Sequence, residues 1–241
     1  MSARRPHFFH AWGWPSAETI AAGPRADYRP SMDFREAIET TGTCRFFRPD
    51  PVPEDVLKRV LDAARYAPTG GNRQGVRFVA VRDDAKRRAL AGLYLPLWQQ
   101  YASRAVVKPG APLPRLLENA DHMAKHLHEV PVLVVVCAQT ADLMATDRHL
   151  DRVSVVAGAS IYPSVQNFLL AARTEGLGTA LTTLLCAVEP KVKELLAIPD
   201  YVATAAMVPL GYPARDFPKK LSRRPIEELV FADTYGERLF K

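Results

Sequence analysis

The sequence predicts a fold in which helices and strands intermix, of the α/β or α+β class. Three observations carry this. Segments with apolar residues at helical spacing alternate along the chain with short apolar runs of strand type. One run, PVLVVVCA (Pro131–Ala138), is almost continuously apolar, the pattern of a strand buried on both faces. The chain has 241 residues, of which 48% are hydrophobic and 24% charged, enough to build a sizeable core.

The elements follow in order. Residues 1–30 read as an extended arm, because Pro6, Pro15, Pro24 and Pro30 recur without helical or strand periodicity. Phe8, Phe9, Trp12 and Trp14 point to an arm that packs on a partner. The remainder, 31–241, reads as a single domain. Ser31 is a plausible N-cap for a short helix, MDFREAIET, with Asp33 favourable in its first turn and Gly42 after its end. A second helix starts near Pro53, carries Val56, Leu57, Val60, Leu61 and Ala64 on one face, and stops at Pro68. The loop PTGGN leads to a strand at Arg77–Arg82, then a helix over Asp84–Leu93. Residues 94–113 are irregular and proline-rich, and a helix covers Arg115 to Glu129.

A long helix spans Val153–Glu175, ended by Gly176. Its first twenty positions, to Ala172, hold no charge, which is long enough to span a bilayer. Ser154, Ser160, Pro163, Ser164, Gln166 and Asn167 within it point instead to a buried helix of a soluble protein. Such a helix needs cover on all sides, and a dimer interface supplies it. GLGTALTTLL, a helix over Pro190–Ala197, a strand at Thr204–Tyr212 and a polar, basic tail complete the chain. The last segment, IEELVFADTYGERLF, would add an edge strand or a helix.

Composition and motifs exclude several functions. The 32 basic and 26 acidic residues give a net charge of +6, spread in ones and twos, which argues against a nucleic-acid partner. No secretory leader is read at the N-terminus, and Cys44, Cys137 and Cys186 form no C-x-x-C, so free thiols in the cytoplasm are expected. Cys44 adjoins Arg45, whose charge would lower its pKa, but no base stands nearby, so a structural cysteine is expected. His122 and His126, with His128 and Glu129, and the group Asp147, His149 and Asp151 offer metal-ligand types. The H-E-x-x-H glutamate is missing and both groups lie among charges, so no metal is expected. Neither G-x-G-x-x-G after a strand nor G-x-S-x-G occurs.

Three segments gain meaning from their order: TTGTCRFF with DPVPEDVLKRVLDAARYAPTGGNRQ, then VQNFLLAARTEGLGTALTTLL, then PLGYP with KKLSRRPIEELV. Together they resemble the FMN-dependent nitroreductase family, from about Met32 to Gly236 and most weakly over residues 90–130. The resemblance implies an α+β fold of three layers. A mixed central sheet is wrapped by helices, and two chains intertwine as a homodimer with two FMN molecules at their interface. Residues 94–129 would form a variable lid, with Tyr94, Trp98 and Tyr101 as stacking or core aromatics.

The family motif R-R-S-x-R falls on Thr41, Gly42, Thr43, Cys44 and Arg45. Thr43 keeps the hydroxyl and Arg45 the last cation. The first two arginines are replaced by Thr41 and Gly42, so charge for the FMN phosphate must come from elsewhere. Arg223 matches the basic residue before the family's P-[IL]-E-E tail, with Lys219, Lys220 and Arg224 near it. The loop APTGGNRQ resembles A-P-S-x-x-N-x-Q, which brings Pro68, Thr69, Gly71, Asn72 and Gln74 to the flavin of the other subunit. Asn72 can donate and accept at the uracil-like edge of the ring. Thr182, Thr183 and Leu184 match the stretch beside the ring, with the Leu184 N–H aimed at N5.

The implied activity is reduction of an electron-poor acceptor (nitroaromatic, quinone or enone) by NAD(P)H in a ping-pong cycle at the flavin, with no side-chain acid or base. Other activities of the superfamily, namely reductive dehalogenation, dehydrogenation and flavin cleavage, stand beside it, as does a non-catalytic flavin-binding protein.

Overall fold

The sheet is built around one strand that is apolar on both faces. The structure, a computed structural model, describes residues 32–104 and 114–240. The N-terminal arm, the Ser31 cap and lid positions 105–113 lie outside the described residues, and residues 32–241 form one unit.

Among the described residues the sheet has four strands, β1 (Val76–Val81), β2 (Val132–Gln139), β3 (Gly178–Thr179) and β4 (Val202–Gly211), in the order β1-β2-β4-β3. All three pairings are antiparallel. The parallel part of the expected mixed sheet comes from the bridge between Thr43 and Thr179. Along β2, side chains alternate between two cores because the strand period is two. Leu133, Val135 and Cys137 enter one core with Met207, and Val132, Val134, Val136 and Ala138 enter the other with Ala206, Val208 and Leu210. A bulge between Val136 and Cys137 lets Ala206 and Thr204 face them, with Ala205 as the extra residue.

Among the described residues six helices flank the sheet: α1 (Phe34–Thr40), α2 (Glu54–Ala64), α3 (Asp84–Ser103), α4 (Arg115–Lys125), α5 (Tyr162–Thr174) and α6 (Glu189–Leu196). On one face, α2 and α5 bury Leu57, Val60, Ala64, Val165, Phe168 and Ala172. Each large side chain buried there contributes about 1.5–3 kcal/mol. The Ser164 hydroxyl donates to Ala64 O at 2.7 Å, which satisfies a carbonyl at the end of α2 and locks the two helices together. On the other face, α3, α4 and α6 add Leu90, Tyr94, Trp98, Met123 and Val192. The result is three layers, helices on both faces of an antiparallel sheet.

Several boundaries differ from expectation. Asp33, not Ser31, caps α1, accepting from the Arg35 and Glu36 N–H groups. Helix α3 runs ten residues past Leu93, through Pro96. Proline in a helix interior costs about 3 kcal/mol. Burial of Tyr94 (2% exposed) and Trp98 (5%) one turn apart offsets it, together with the Trp98 Nε1–H bond to Asp121 at 3.1 Å. Tyr94 and Trp98 are therefore core, while Tyr101 is exposed.

Helix α5 starts at Tyr162, not Val153. Pro163 sits in its first turn, where its missing N–H costs nothing. Residues 153–156 are irregular and 157–161 form turns, and Val153 and Val155 are 87% and 74% exposed, so no single buried helix fills the uncharged stretch. Among the described residues no helix is long and apolar enough to cross a membrane. Gly176 does end α5: at φ +74° it lets Leu177 N–H reach back to Ala172 O at 2.8 Å. The tail adds neither strand nor helix, only a 3-10 turn at Ile226–Glu228 and a bridge from Phe231 to Arg238.

Candidate functional site

Just past α1, the backbone is laid alongside β3. Cys44 N–H donates to Thr179 O at 2.8 Å, and Thr43 bridges Thr179. The TGTCR motif and the GLGT segment are thereby joined. A Cβ on Gly178 would lie 2.6 Å from the Cys44 sulfur, so the approach needs glycine. Cys44 donates to Phe46 O, and burial pushes its thiol up to about 11, outweighing the neighbouring Arg45 charge.

Arg45 is partly buried. Its Nη1 stands 3.7 Å from the Met123 sulfur on α4, and it meets no carboxylate among the described residues. Burial lowers its pKa, and the Tyr94 oxygen opposes that more weakly. The Tyr94 oxygen in turn takes a bond from the Thr182 hydroxyl at 3.4 Å, and that hydroxyl accepts from the Leu184 N–H, also at 3.4 Å. Thr182 itself is fixed to β4 by two backbone bonds with Met207. So Tyr94, Thr182 and Leu184 form one hydrogen-bonded group, and the Arg45 charge is close enough to the Tyr94 oxygen to be felt. The Thr183 N–H has no partner among the described residues.

Gly42, Thr43 and Arg45 line a concavity of about 220 Å³ together with Phe46, Arg115, Asn119, Arg215, Asp216 and Phe217. Thr41 is not on its wall, and the Thr41 hydroxyl donates to Ala37 O at 2.6 Å. Arg223 is not on its wall either. It is exposed and donates to its neighbour's carbonyl, Ser222 O. Sequence reasoning missed Arg115, Asn119 and Arg215. The first two stand one helical turn apart in the segment of weakest resemblance. Arg215 follows PLGYP, and only the fold shows that it lies over the Phe46 ring, at 3.3 Å from its centroid.

Beneath Phe46 the stack continues through His122 and His126, each 4.3 Å from the ring before it, and His126 Nδ1 meets Glu129 at 3.0 Å. Burial, His126 and Arg215 lower the His122 pKa. These histidines thus form a ring column. Among the described residues no group of His, Cys, Asp and Glu could hold a metal. Asp147 accepts from the Ser154 hydroxyl (2.7 Å), the Val155 N–H (2.9 Å) and Arg152 (2.7 Å), so it pins its own loop.

The loop Pro68–Gln74 lies elsewhere. Gly71, Asn72 and Gln74 all have positive φ, near 60°, 53° and 52°. The turn is held by Gln74 N–H to the Thr69 hydroxyl, by Gln74 Nε2 to Asn72 Oδ1, and by Gly70 N–H to Ser160 Oγ. Pro68, Thr69 and Gly71 line a cavity of about 570 Å³ with Asp142, Met144 and Ala157, and no residue lines both cavities. Within one chain, then, the structure puts Thr43 and Arg45 on one concavity, links Leu184 to Thr182, and leaves Asn72 and Gln74 off that concavity.

Comparison with known proteins gives a consistent picture. The profile of the Nitroreductase family matches residues 38–212. A protein of Thermus thermophilus named NADH dehydrogenase is 28% identical over 231 residues, covering 83% of this chain and 96% of that protein. The 5,6-dimethylbenzimidazole synthase of Rhodospirillum rubrum is 32% identical over 181 residues, 72% of this chain and 79% of the synthase. In three dimensions, the crystal structure of oxidized iodotyrosine deiodinase bound to FMN and 3-iodo-L-tyrosine has a TM-score of 0.65. It is 22% identical and covers 83% of this chain and 99% of the other.

Proposed function

The chain belongs to the nitroreductase family, and from that premise we propose that it is an FMN-dependent oxidoreductase acting as a cytoplasmic homodimer. NAD(P)H would be the reductant, and the acceptor an electron-poor small molecule such as a nitroaromatic, quinone or enone, in a ping-pong cycle. One observation carries this reading most. A half-buried cation, Arg45, has no carboxylate partner among the described residues and feels the Tyr94 oxygen, which is hydrogen-bonded through Thr182 to the Leu184 amide. Cations are rarely left so unless a ligand completes them.

The donor set fits a flavin. When bound, FMN supplies two-electron chemistry at N5. Arg45 would hold negative charge at the pyrimidine edge, where its partial desolvation strengthens the attraction. Among the described residues the Thr183 N–H has no partner and the Leu184 N–H only a long bond, so both would be available to the ring. Gly42 gives close backbone approach, and the Thr43 and Thr182 hydroxyls add polar contacts. Thr41, at the C-cap of α1, and Arg223 stand at the family's remaining motif positions, but neither lies on the concavity wall, so no cofactor contact is assigned to them.

The separation of the Pro68–Gln74 loop from Arg45 supports a site shared by two chains, with Pro68, Thr69, Gly71, Asn72 and Gln74 serving the partner's flavin. Exposed Met144, Leu150, Val153 and Val155 offer apolar surface for that pairing. Raised thiol pKa values at Cys44, Cys137 and Cys186 fit cysteines kept reduced.

The absorbance spectrum of the purified protein, followed by anaerobic titration with NADH and NADPH, tests this reading. A yellow protein bleached by either nucleotide supports it. A colourless protein that takes up no FMN overturns it. A yellow protein that neither nucleotide bleaches supports a flavin carrier. The similarity to 5,6-dimethylbenzimidazole synthase favours one second reading, flavin cleavage. Release of dimethylbenzimidazole from reduced FMN in air would establish it.

A further inference from the structure

We propose that Arg115 and Arg215 hold the flavin phosphate in this chain, taking over from the two motif arginines that Thr41 and Gly42 replace. The inference rests on the FMN reading and deepens it. A phosphate monoester carries up to two charges, and the motif that lost its arginine pair still needs cations beside it. The concavity next to that motif supplies them. Its wall carries Gly42, Thr43 and Arg45 from the motif, Arg115 and Asn119 from α4, and Arg215 from the segment after β4.

Seven of the nineteen described arginines are tied to carboxylates. Arg35, Arg48, Arg59, Arg65, Arg87, Arg88 and Arg152 each form an ion pair with a carboxylate. Arg45, Arg115 and Arg215 form none among the described residues, yet they converge on one concavity with Asp216 as its sole acid. Arg215 is already positioned, since its guanidinium lies over Phe46 and keeps its N–H edges available.

The site is also graded. Arg45 is half-buried, whereas Arg115 and Arg215 are exposed. That matches a ligand whose ring end is buried and whose charged end meets water. Arg223, which the resemblance favours for this role, is outside the concavity.

The test is flavin fluorescence titration of the full chain with FMN and, separately, with riboflavin, which lacks only the phosphate. Arg115→Gln and Arg215→Gln are each expected to weaken FMN roughly tenfold or more, the scale of a charged hydrogen bond. Riboflavin affinity stays constant, so the FMN-to-riboflavin ratio falls. Arg223→Gln leaves that ratio unchanged, and Arg115→Lys restores part of it. The proposal is overturned if the ratio survives Arg115→Gln and Arg215→Gln, if both flavins weaken equally, or if only Arg223→Gln lowers the ratio. Wild-type protein that binds neither flavin overturns the FMN reading as well, and so is distinguishable from a failure of this assignment alone.

Discussion

The Arg45 guanidinium rests 3.7 Å from the Met123 sulfur, a soft neutral neighbour where a carboxylate would be expected. A partly buried cation held this way costs folding free energy. Replacing it with an apolar side chain of similar length removes that cost. Arg45→Met is therefore expected to leave the flavin-free protein as stable as wild type or more so, while FMN affinity falls at least tenfold. Thermal melts of flavin-free protein and a flavin titration check both halves. A large loss of stability without flavin would show that Arg45 has a structural role.

Tyr94 and Thr182 share the hydroxyl contact that links α3 to the segment after β3. Tyr94→Phe keeps the packing and deletes the bond. The expected loss is about 0.5–1.5 kcal/mol in chemical denaturation. A loss of several kcal/mol would mean that the phenol oxygen has further duties.

Asp147 makes an acid-sensitive clasp. Three donors, Ser154, Val155 N–H and Arg152, hold its carboxyl down at about 2. The depressed value makes its stabilisation complete above the ordinary carboxyl pKa, about 3.9, and progressively lost as pH falls toward 2. Asp147→Asn should lower the melting temperature at neutral pH and flatten the acid limb between about pH 4 and pH 2. An acid limb as steep as wild type would assign the titration to other carboxylates.

The thiols offer a separate check on the core. Burial raises Cys44 and Cys137 to about 11 and Cys186 in the same direction. Folded protein should resist alkylation at mildly alkaline pH, where a free thiol near 8.5 reacts readily, and denaturant should expose all three. Rapid modification of Cys44 in folded protein would show a thiolate stabilised by Arg45 after all.

Much of the fold was legible because local patterns and tertiary burial agree. The unbroken apolar run at Pro131–Ala138 becomes the central strand, and Gly176 ends α5 where a left-handed residue was needed. The misread boundaries share a cause: tertiary context overrode a local signal. Pro96 argued against helix, yet Tyr94 and Trp98 bury on either side of it. The uncharged stretch from Val153 argued for helix, yet Asp147 ties its start into turns. Motif order could place Thr43, Arg45 and Thr182 near one another. It could not find Arg115 or Arg215, whose relevance depends on α4 and the segment after β4 meeting in space.

Asn72 provides the last test, because its backbone and its side chain point to opposite outcomes. It sits at φ 53° between Gly71 and Arg73, a left-handed conformation that costs an L residue about 1 kcal/mol and glycine little. Its side chain is held by Gln74 Nε2 at 3.2 Å, which leaves the amide nitrogen free to donate. On stability alone, Asn72→Gly relieves the backbone but loosens the unfolded chain, so the net change is expected to stay within about 1 kcal/mol. If Asn72 reads the ring edge of the partner's flavin, the same variant loses several-fold in affinity for FMN and riboflavin alike, since the contact is to the ring and not to the phosphate. Parallel melts and titrations separate the two effects, and unchanged flavin affinity would leave this loop with a structural role only.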